Sequence, residues 1–68
     1  MNHNIMPLDW RVVILNNFKR HKIPAIEKWL TEVVGEKDVK WRIAGGYGVY
    51  AFADFEDAVI FNMTWNGI

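Results

Sequence analysis

The hydrophobic and polar positions alternate in two different rhythms along the chain. Trp10-Arg11-Val12-Val13-Ile14-Leu15 is short, rich in β-branched residues and halted by Asn16-Asn17, a pattern that predicts a strand. A helix starting from Asp9 is the alternative. From Ile23 to Val34 the rhythm becomes helical. Ile26, Trp29, Leu30, Val33 and Val34 fall on one stripe, while Glu27, Lys28, Thr31 and Glu32 take the opposite face. Pro24 suits the first turn, where its missing N–H costs nothing, and Gly35 is placed to end the helix as a left-handed cap.

Strand rhythm then returns. Val39, Trp41 and Ile43 share one face and Lys40 and Arg42 the other. Gly45-Gly46 supplies a turn into a strand from Tyr47 to Ala53, with Tyr50 and Phe52 on one face and Tyr47, Val49, Ala51 and Ala53 on the other. Residues 57–65 fit two patterns. Val59, Phe61, Met63 and Trp65 alternate like a strand, whereas Ala58, Phe61 and Trp65 form a helical stripe behind Asp54, Glu56 and Asp57, which suit a capped first turn. The helix is the preferred reading. The expected fold is therefore α+β, a ferredoxin-like β-α-β-β-α. Its three-stranded sheet has the order 1-3-2, with two helices on one face. A right-handed crossover after the first strand is expected to set strands one and three side by side and parallel.

Arg11 breaks the symmetry of the first strand. If it faces solvent, Val13 and Leu15 share its face, and Trp10, Val12 and Ile14 turn inward. The open sheet face would then carry Arg11, Val13, Leu15, Lys40, Arg42, Tyr47 and Val49 beside Ala51, an apolar centre with a basic edge.

Sixty-eight residues make a single domain, 1–68, with residues 1–7 expected as a loose tail. A chain of this length buries only roughly 60% of its unfolded surface. With no cysteine, and with His3 and His21 far apart, neither a disulfide nor a metal is expected to compensate. Four Trp, four Phe and two Tyr point instead to a dense aromatic core, an oligomer, or both. Net charge is zero but unevenly distributed. All eight Lys and Arg fall within residues 1–42 with five of the eight acids, and Asp54, Glu56 and Asp57 follow, so the two parts carry +3 and −3. The apolar runs are too short for a membrane span, and MNHNIMPLDW lacks the pattern of a signal peptide. No membrane association is expected, and the localisation expected is cytoplasmic. The sequon Asn62-Met63-Thr64 reads as chance in that setting.

Gly46-Tyr47-Gly48-Val49-Tyr50-Ala51-Phe52 resembles the RNP1 strand of an RNA-recognition motif. Asp57-Ala58 followed by Trp65-Asn66-Gly67 resembles the second helix of that family, and Val13-Ile14-Leu15-Asn16-Asn17-Phe18 can be laid on its RNP2 strand. The resemblance implies base stacking on the open sheet face. Tyr47 matches the first RNP1 stacking position, Val49 stands at the second where an aromatic is expected, and Ile14 holds the RNP2 stacking position. Gly45 replaces the leading Lys or Arg. The alignment puts Ile14 on the open face, contrary to the assignment made from Arg11. The chain is also similar to short reading frames of tailed phages and marine metagenomes with EDA…F…W endings. That likeness suggests an accessory protein binding a host factor and carries no known activity.

Two functions follow as expectations. The first is a small non-enzymatic interaction module that forms a homo-oligomer, a dimer, through the open sheet face or the edge of strand one, which lacks a fourth strand beside it. The second is a single-stranded nucleic-acid binder using Tyr47, Arg11, Lys40 and Arg42. Lys19-Arg20-His21-Lys22 reads as a solvated loop, and Asp54, Glu56 and Asp57 as capping residues rather than a cation site. The glycines at 45, 46 and 48 lead into a strand, unlike a phosphate loop, which opens a helix. There is no Ser or Cys, and neither Thr31 nor Thr64 has a visible His–acid pair. No catalytic, cofactor or metal residue is assigned.

Overall fold

The computed structural model describes residues 10–67, so the expected tail lies outside the described residues. The elements follow the predicted order: β1 (Arg11–Ile14), α1 (Ile23–Trp29), β2 (Trp41–Ile43), β3 (Val49–Phe52) and α2 (Phe55–Trp65). The sheet order is β1-β3-β2, and residues 57–65 belong to a helix. One expectation is corrected. β3 runs antiparallel to both neighbours, with Val13 opposite Tyr50 and Ile43 opposite Tyr50 across the other side. The crossover through α1 joins β1 to β2, not to β3. The tight connection from β2 then reverses the chain, and β3 inserts between two strands that run the same way.

Register explains the core. Residues directly opposite in a sheet point to the same side. Arg11, Phe52 and Trp41 therefore form one row on the helix side, and Val13, Tyr50 and Ile43 the next. Trp41, Tyr50, Phe52, Ile26, Leu30 and Phe61 are fully buried there, joined by Leu15 and Ala58. Phe61 of α2 sits between Phe52 and Tyr50, with ring centroids 4.9 and 5.3 Å away. Each such ring contributes about 1.5–3 kcal/mol on burial, so this aromatic cluster supplies stability that a chain without cysteine cannot draw from disulfides.

Both helices place their apolar residues on this core, with local departures from the expected pattern. Behind Trp29 the helix widens into a π-helical turn, Leu30–Val34, closed by a bond from the Gly35 N–H to the Leu30 C=O. The wider turn rotates Val33 out to 52% exposure, while Val34 and Trp29 still pack against the core. Gly35 does end the helix, but at φ 142°, ψ −157° instead of the left-handed helical region. A Cβ there would lie 2.7 Å from Lys40 Cγ. Val39 is exposed outside β2. Positive φ at Asp38 (69°) and bonds from the Val39 and Lys40 N–H groups to the Glu36 C=O make residues 36–40 a turn. At the other end of the sheet the side chain of Phe18 lies on the backbone of Gly48, whose φ is 87° and whose missing Cβ would meet the ring at 2.9 Å.

Candidate functional site

The register reverses the expected faces of β1. Val13 lies opposite the buried Tyr50 and Leu15 is itself buried, so both face the helices, with Arg11 at the start of the same row. Val12 and Ile14 lie on the open face, 50% and 63% exposed. Arg11 is on the core side by register, opposite Phe52, and that side is tolerable because the residue sits at the strand end. From there its guanidinium reaches solvent across the Phe55 ring, 5.3 Å from the centroid. Arg11, Val13 and Leu15 thus leave the expected open-face set.

The remaining expected residues divide. Arg42 and Val49 are on the open face, in rows Val12–Ala51–Arg42 and Ile14–Val49. Ala51 offers no bulk between its neighbours, and Arg42 reaches across to the half-buried Trp10, 5.8 Å from its ring. Lys40 precedes β2 and places its ammonium 3.2 Å from Asp54. Tyr47 lies in the turn before β3, exposed, under the Arg20 guanidinium at 5.6 Å. Neither is part of the strand surface. Asp54 occupies the N-cap position of α2 without a side-chain capping bond, because its carboxylate is committed to Lys40. Glu56 and Asp57 stand in the first turn as expected. Residues 20–22 form an exposed 3₁₀ turn that leads into α1.

The outer edge of β1 has a consequential geometry. The Leu15 N–H donates to the Gly48 C=O at 2.9 Å, so Leu15, Val13 and Arg11 aim their backbone groups at β3. Val12 and Ile14 aim theirs outward. The Ile14 C=O and the Asn16 N–H are taken by one side chain. Asn66, at the end of α2, donates its amide to Ile14 at 3.1 Å and accepts from Asn16 at 2.9 Å, while bonding the Asn62 side chain at 2.7 Å. The Val12 N–H and C=O and the Ile14 N–H have no partner among the described residues.

Beside this edge runs a groove of about 510 Å³, bounded by Trp10 to Ile14 and by Phe55, Ala58, Val59 and Asn62 of α2. Phe55, Val59 and Met63 stand one helical turn apart on an exposed stripe. An edge with free hydrogen-bonding groups above an apolar ridge suits an added strand. The assignment made from Arg11 missed Trp10, Val12 and Ile14 by inverting β1, although the RNP2 alignment puts Ile14 on the open face, and sequence reasoning passed over Phe55 and Val59. The alternation of Tyr50 and Phe52, carried across the sheet, was the available signal for the first three; an Asn in the last turn of a helix gave none for Asn66.

Among the described residues no group of three or more His, Asp or Glu is placed to hold a metal ion. No helix of the described residues is long and apolar enough to cross a membrane. The Tyr50 hydroxyl titrates above its ordinary value, because burial disfavours the phenolate and the nearby Glu27 charge adds to the effect. Comparison with protein-family models, curated proteins and solved structures finds no match to the chain.

Proposed function

We propose that this chain is a small non-enzymatic binding module that self-associates through the outer edge of β1 and the groove between that edge and α2. Two copies meeting there join their sheets into one of six strands. The observation that carries the reading is the pair of outward backbone groups on Val12, with the Ile14 N–H, above the Phe55–Val59 ridge. Natural edge strands are usually blunted by charged residues, proline or a bulge; in β1 the one such residue, Arg11, stands at the strand end, and Val12-Val13-Ile14 has none. Zero net charge leaves two copies without mutual repulsion.

Val12→Pro tests the proposal. The Val12 N–H plays no part in the chain's own ladder, so proline at this edge position removes the intermolecular donor and leaves the sheet paired. Light scattering across a concentration series should report a dimer for the natural chain and a monomer for the variant, both with the same circular dichroism. A natural chain that is monomeric at every concentration overturns the reading.

A second reading has one observation in its favour. The register sets Ile14 and Val49 on the open face, as the RNA-recognition resemblance requires, and adds Trp10 with Arg42 above it. Binding of a short single-stranded oligonucleotide at low salt, weakened on Trp10→Ala, would support this use. Absence of binding at low salt would end it.

A further inference from the structure

Asn66 sets where a second copy can pair. Its side chain does what an adjacent strand would do, accepting from one backbone N–H of the β1 edge and donating to one C=O two residues away. The carboxamide has the same donor and acceptor as a peptide group, so it ends the edge at Ile14 as a paired strand residue would. A second bond, donated by the Asn66 amide to the Asn62 Oδ1, holds it in that orientation. Among the described residues, what stays open is the short stretch from Trp10 to the Ile14 N–H.

We propose that Asn66 is a register stop, and that it directs two copies of the chain to pair their β1 strands antiparallel about a two-fold axis at Val12. This rests on the self-association reading above. Four symmetric registers are available to an edge whose outward residues are Trp10, Val12 and Ile14, and the one centred on Arg11 sets the two Arg11 side chains directly opposite, like charge against like. Centring on Ile14 requires its C=O and the Asn16 N–H, both of which Asn66 holds. Centring on Val13 requires the Ile14 C=O twice, once from each copy. Centring on Val12 needs neither for its central bonds, and only the outermost bond, from the Trp10 N–H to the Ile14 C=O, is replaced by that of Asn66. The Val12 N–H and C=O of each copy exchange two bonds, and each Ile14 N–H reaches the Trp10 C=O of the other.

Side chains agree with that choice. On the open face Val12 meets Val12 of the second copy, and each Ile14 meets a Trp10, a β-branched residue against an aromatic. On the helix side the two α2 helices run antiparallel across the axis. Their Phe55, Val59 and Met63 stripes then face each other with Val59 nearest the centre, a self-complementary arrangement of the kind a two-fold interface demands.

The chain has no cysteine, so single cysteines report the register directly. In the Val12-centred pairing, Val12 of each copy stands about 5.5 Å from its counterpart between Cα atoms, within disulfide reach. The two Ile14 residues are offset by four positions, about 13 Å along the strands. Oxidised Val12→Cys should form a covalent dimer on non-reducing electrophoresis and Ile14→Cys should not. Adding Asn66→Ala to Ile14→Cys frees the blocked groups and should raise cross-linking several-fold. If the natural chain scatters as a dimer but Val12→Cys fails to cross-link, or Ile14→Cys links with Asn66 intact, the register is wrong and self-association stands. Unchanged cross-linking on Asn66→Ala removes the register stop alone. A natural chain monomeric throughout removes both.

Discussion

The sheet has two outer edges, and the chain treats them differently. At β2 the edge is only three residues long, and residues 36–40 fold back along it. Lys37 bridges to Trp41, the Asp38 N–H donates to the Trp41 C=O at 2.6 Å, and the Lys37 ammonium lies 5.8 Å over the Trp41 ring. That edge is covered at Trp41 by the chain's own backbone, and beyond it the outward N–H and C=O of Ile43 have no partner among the described residues. At β1 the closure consists of one side chain at one end, Asn66, and the rest faces a groove with exposed apolar residues on its far wall. Among the described residues β2 is blunted by its three-residue length and by the turn at Trp41, whereas β1 keeps the free groups of Val12 and Ile14 beside an apolar groove, the kind of edge at which strands pair. The difference also follows from local sequence: Lys37 and Asp38 supply the positive-φ turn that covers β2, whereas Val12 to Ile14 offer only β-branched side chains.

The most severe test of this contrast exchanges neighbours on β1. The Val13 N–H points at β3 and the Val12 N–H points away, so proline at the two positions should give opposite outcomes. Val13→Pro leaves the Tyr50 C=O unpaired inside the sheet, about 1–3 kcal/mol for the lost partner alone, and its ring also disturbs a pair in the core row. Most of the stability of so small a domain would go. Thermal unfolding followed by circular dichroism should show no cooperative transition for Val13→Pro and a near-natural one for Val12→Pro. Equal loss in both would mean that the outward edge of β1 is not free.

How far the sequence reveals these features depends on where the pattern is one-sided. The helices and the β-α-β-β-α order were legible because Ile26, Leu30, Ala58 and Phe61 fall at helical spacing and Tyr50 and Phe52 alternate cleanly. β1 is apolar on both faces, so only Arg11 marked one face as wet, and a long side chain at a strand end reaches solvent from either side. Pairing direction was misread for a topological reason, since a crossover fixes the relation of β1 to β2 and the hairpin then fixes β3. The π-helical turn displaced Val33 without any change of periodicity in the sequence. Of the expected surface residues, Arg42 and Val49 lie on the open face, and Lys40 and Tyr47 are engaged elsewhere by Asp54 and Arg20.

A second test weakens the closed edge. Gly35 holds a φ of 142°, accepts the Trp41 indole N–H at 2.9 Å, and lets Lys40 pass where a Cβ would lie. Gly35→Ala forces the turn behind β2 to shift at a cost of about 1–3 kcal/mol. Denaturant titration should show a lower midpoint with an unchanged slope. Hydrogen exchange should quicken at the Asp38 amide and the Trp41 indole N–H before it does at the Val13 and Tyr50 amides. An unaltered midpoint would mean that this backbone conformation is not required for the closure.

The two core rows can also be probed by alkali. Tyr50 lies in the row shared by β1 and β2, and its hydroxyl pKa is raised above 10.0 by burial, with Glu27 adding to the effect. The unfolded chain therefore loses this proton first as pH rises. Stability from the neutral phenol is complete below about pH 10 and is lost as pH climbs through the higher folded value. Melting temperatures measured from pH 8 to 11.5 should fall at the alkaline end for the natural chain and fall less for Tyr50→Phe. Parallel curves would place the alkaline loss elsewhere.

The smallest effect belongs to the ion pair between the β2 end of the sheet and α2. Lys40 and Asp54 are 3.2 Å apart with side chains 45% and 57% exposed, so water and salt screen them and the pair contributes about 0–1 kcal/mol. Lys40→Met keeps the methylenes that run past Gly35 and removes only the charge. It should lower the melting temperature by no more than a few degrees, and 1 M salt should erase the difference from the natural chain. Asp54 would then be free to accept a backbone N–H of the first turn of α2, the capping role its pairing with Lys40 displaces, and part of the loss would be recovered. A large, salt-insensitive loss would instead show that the Lys40 side chain holds the closed edge through its position over Gly35. The closure of β2 would then depend on packing more than on its turn.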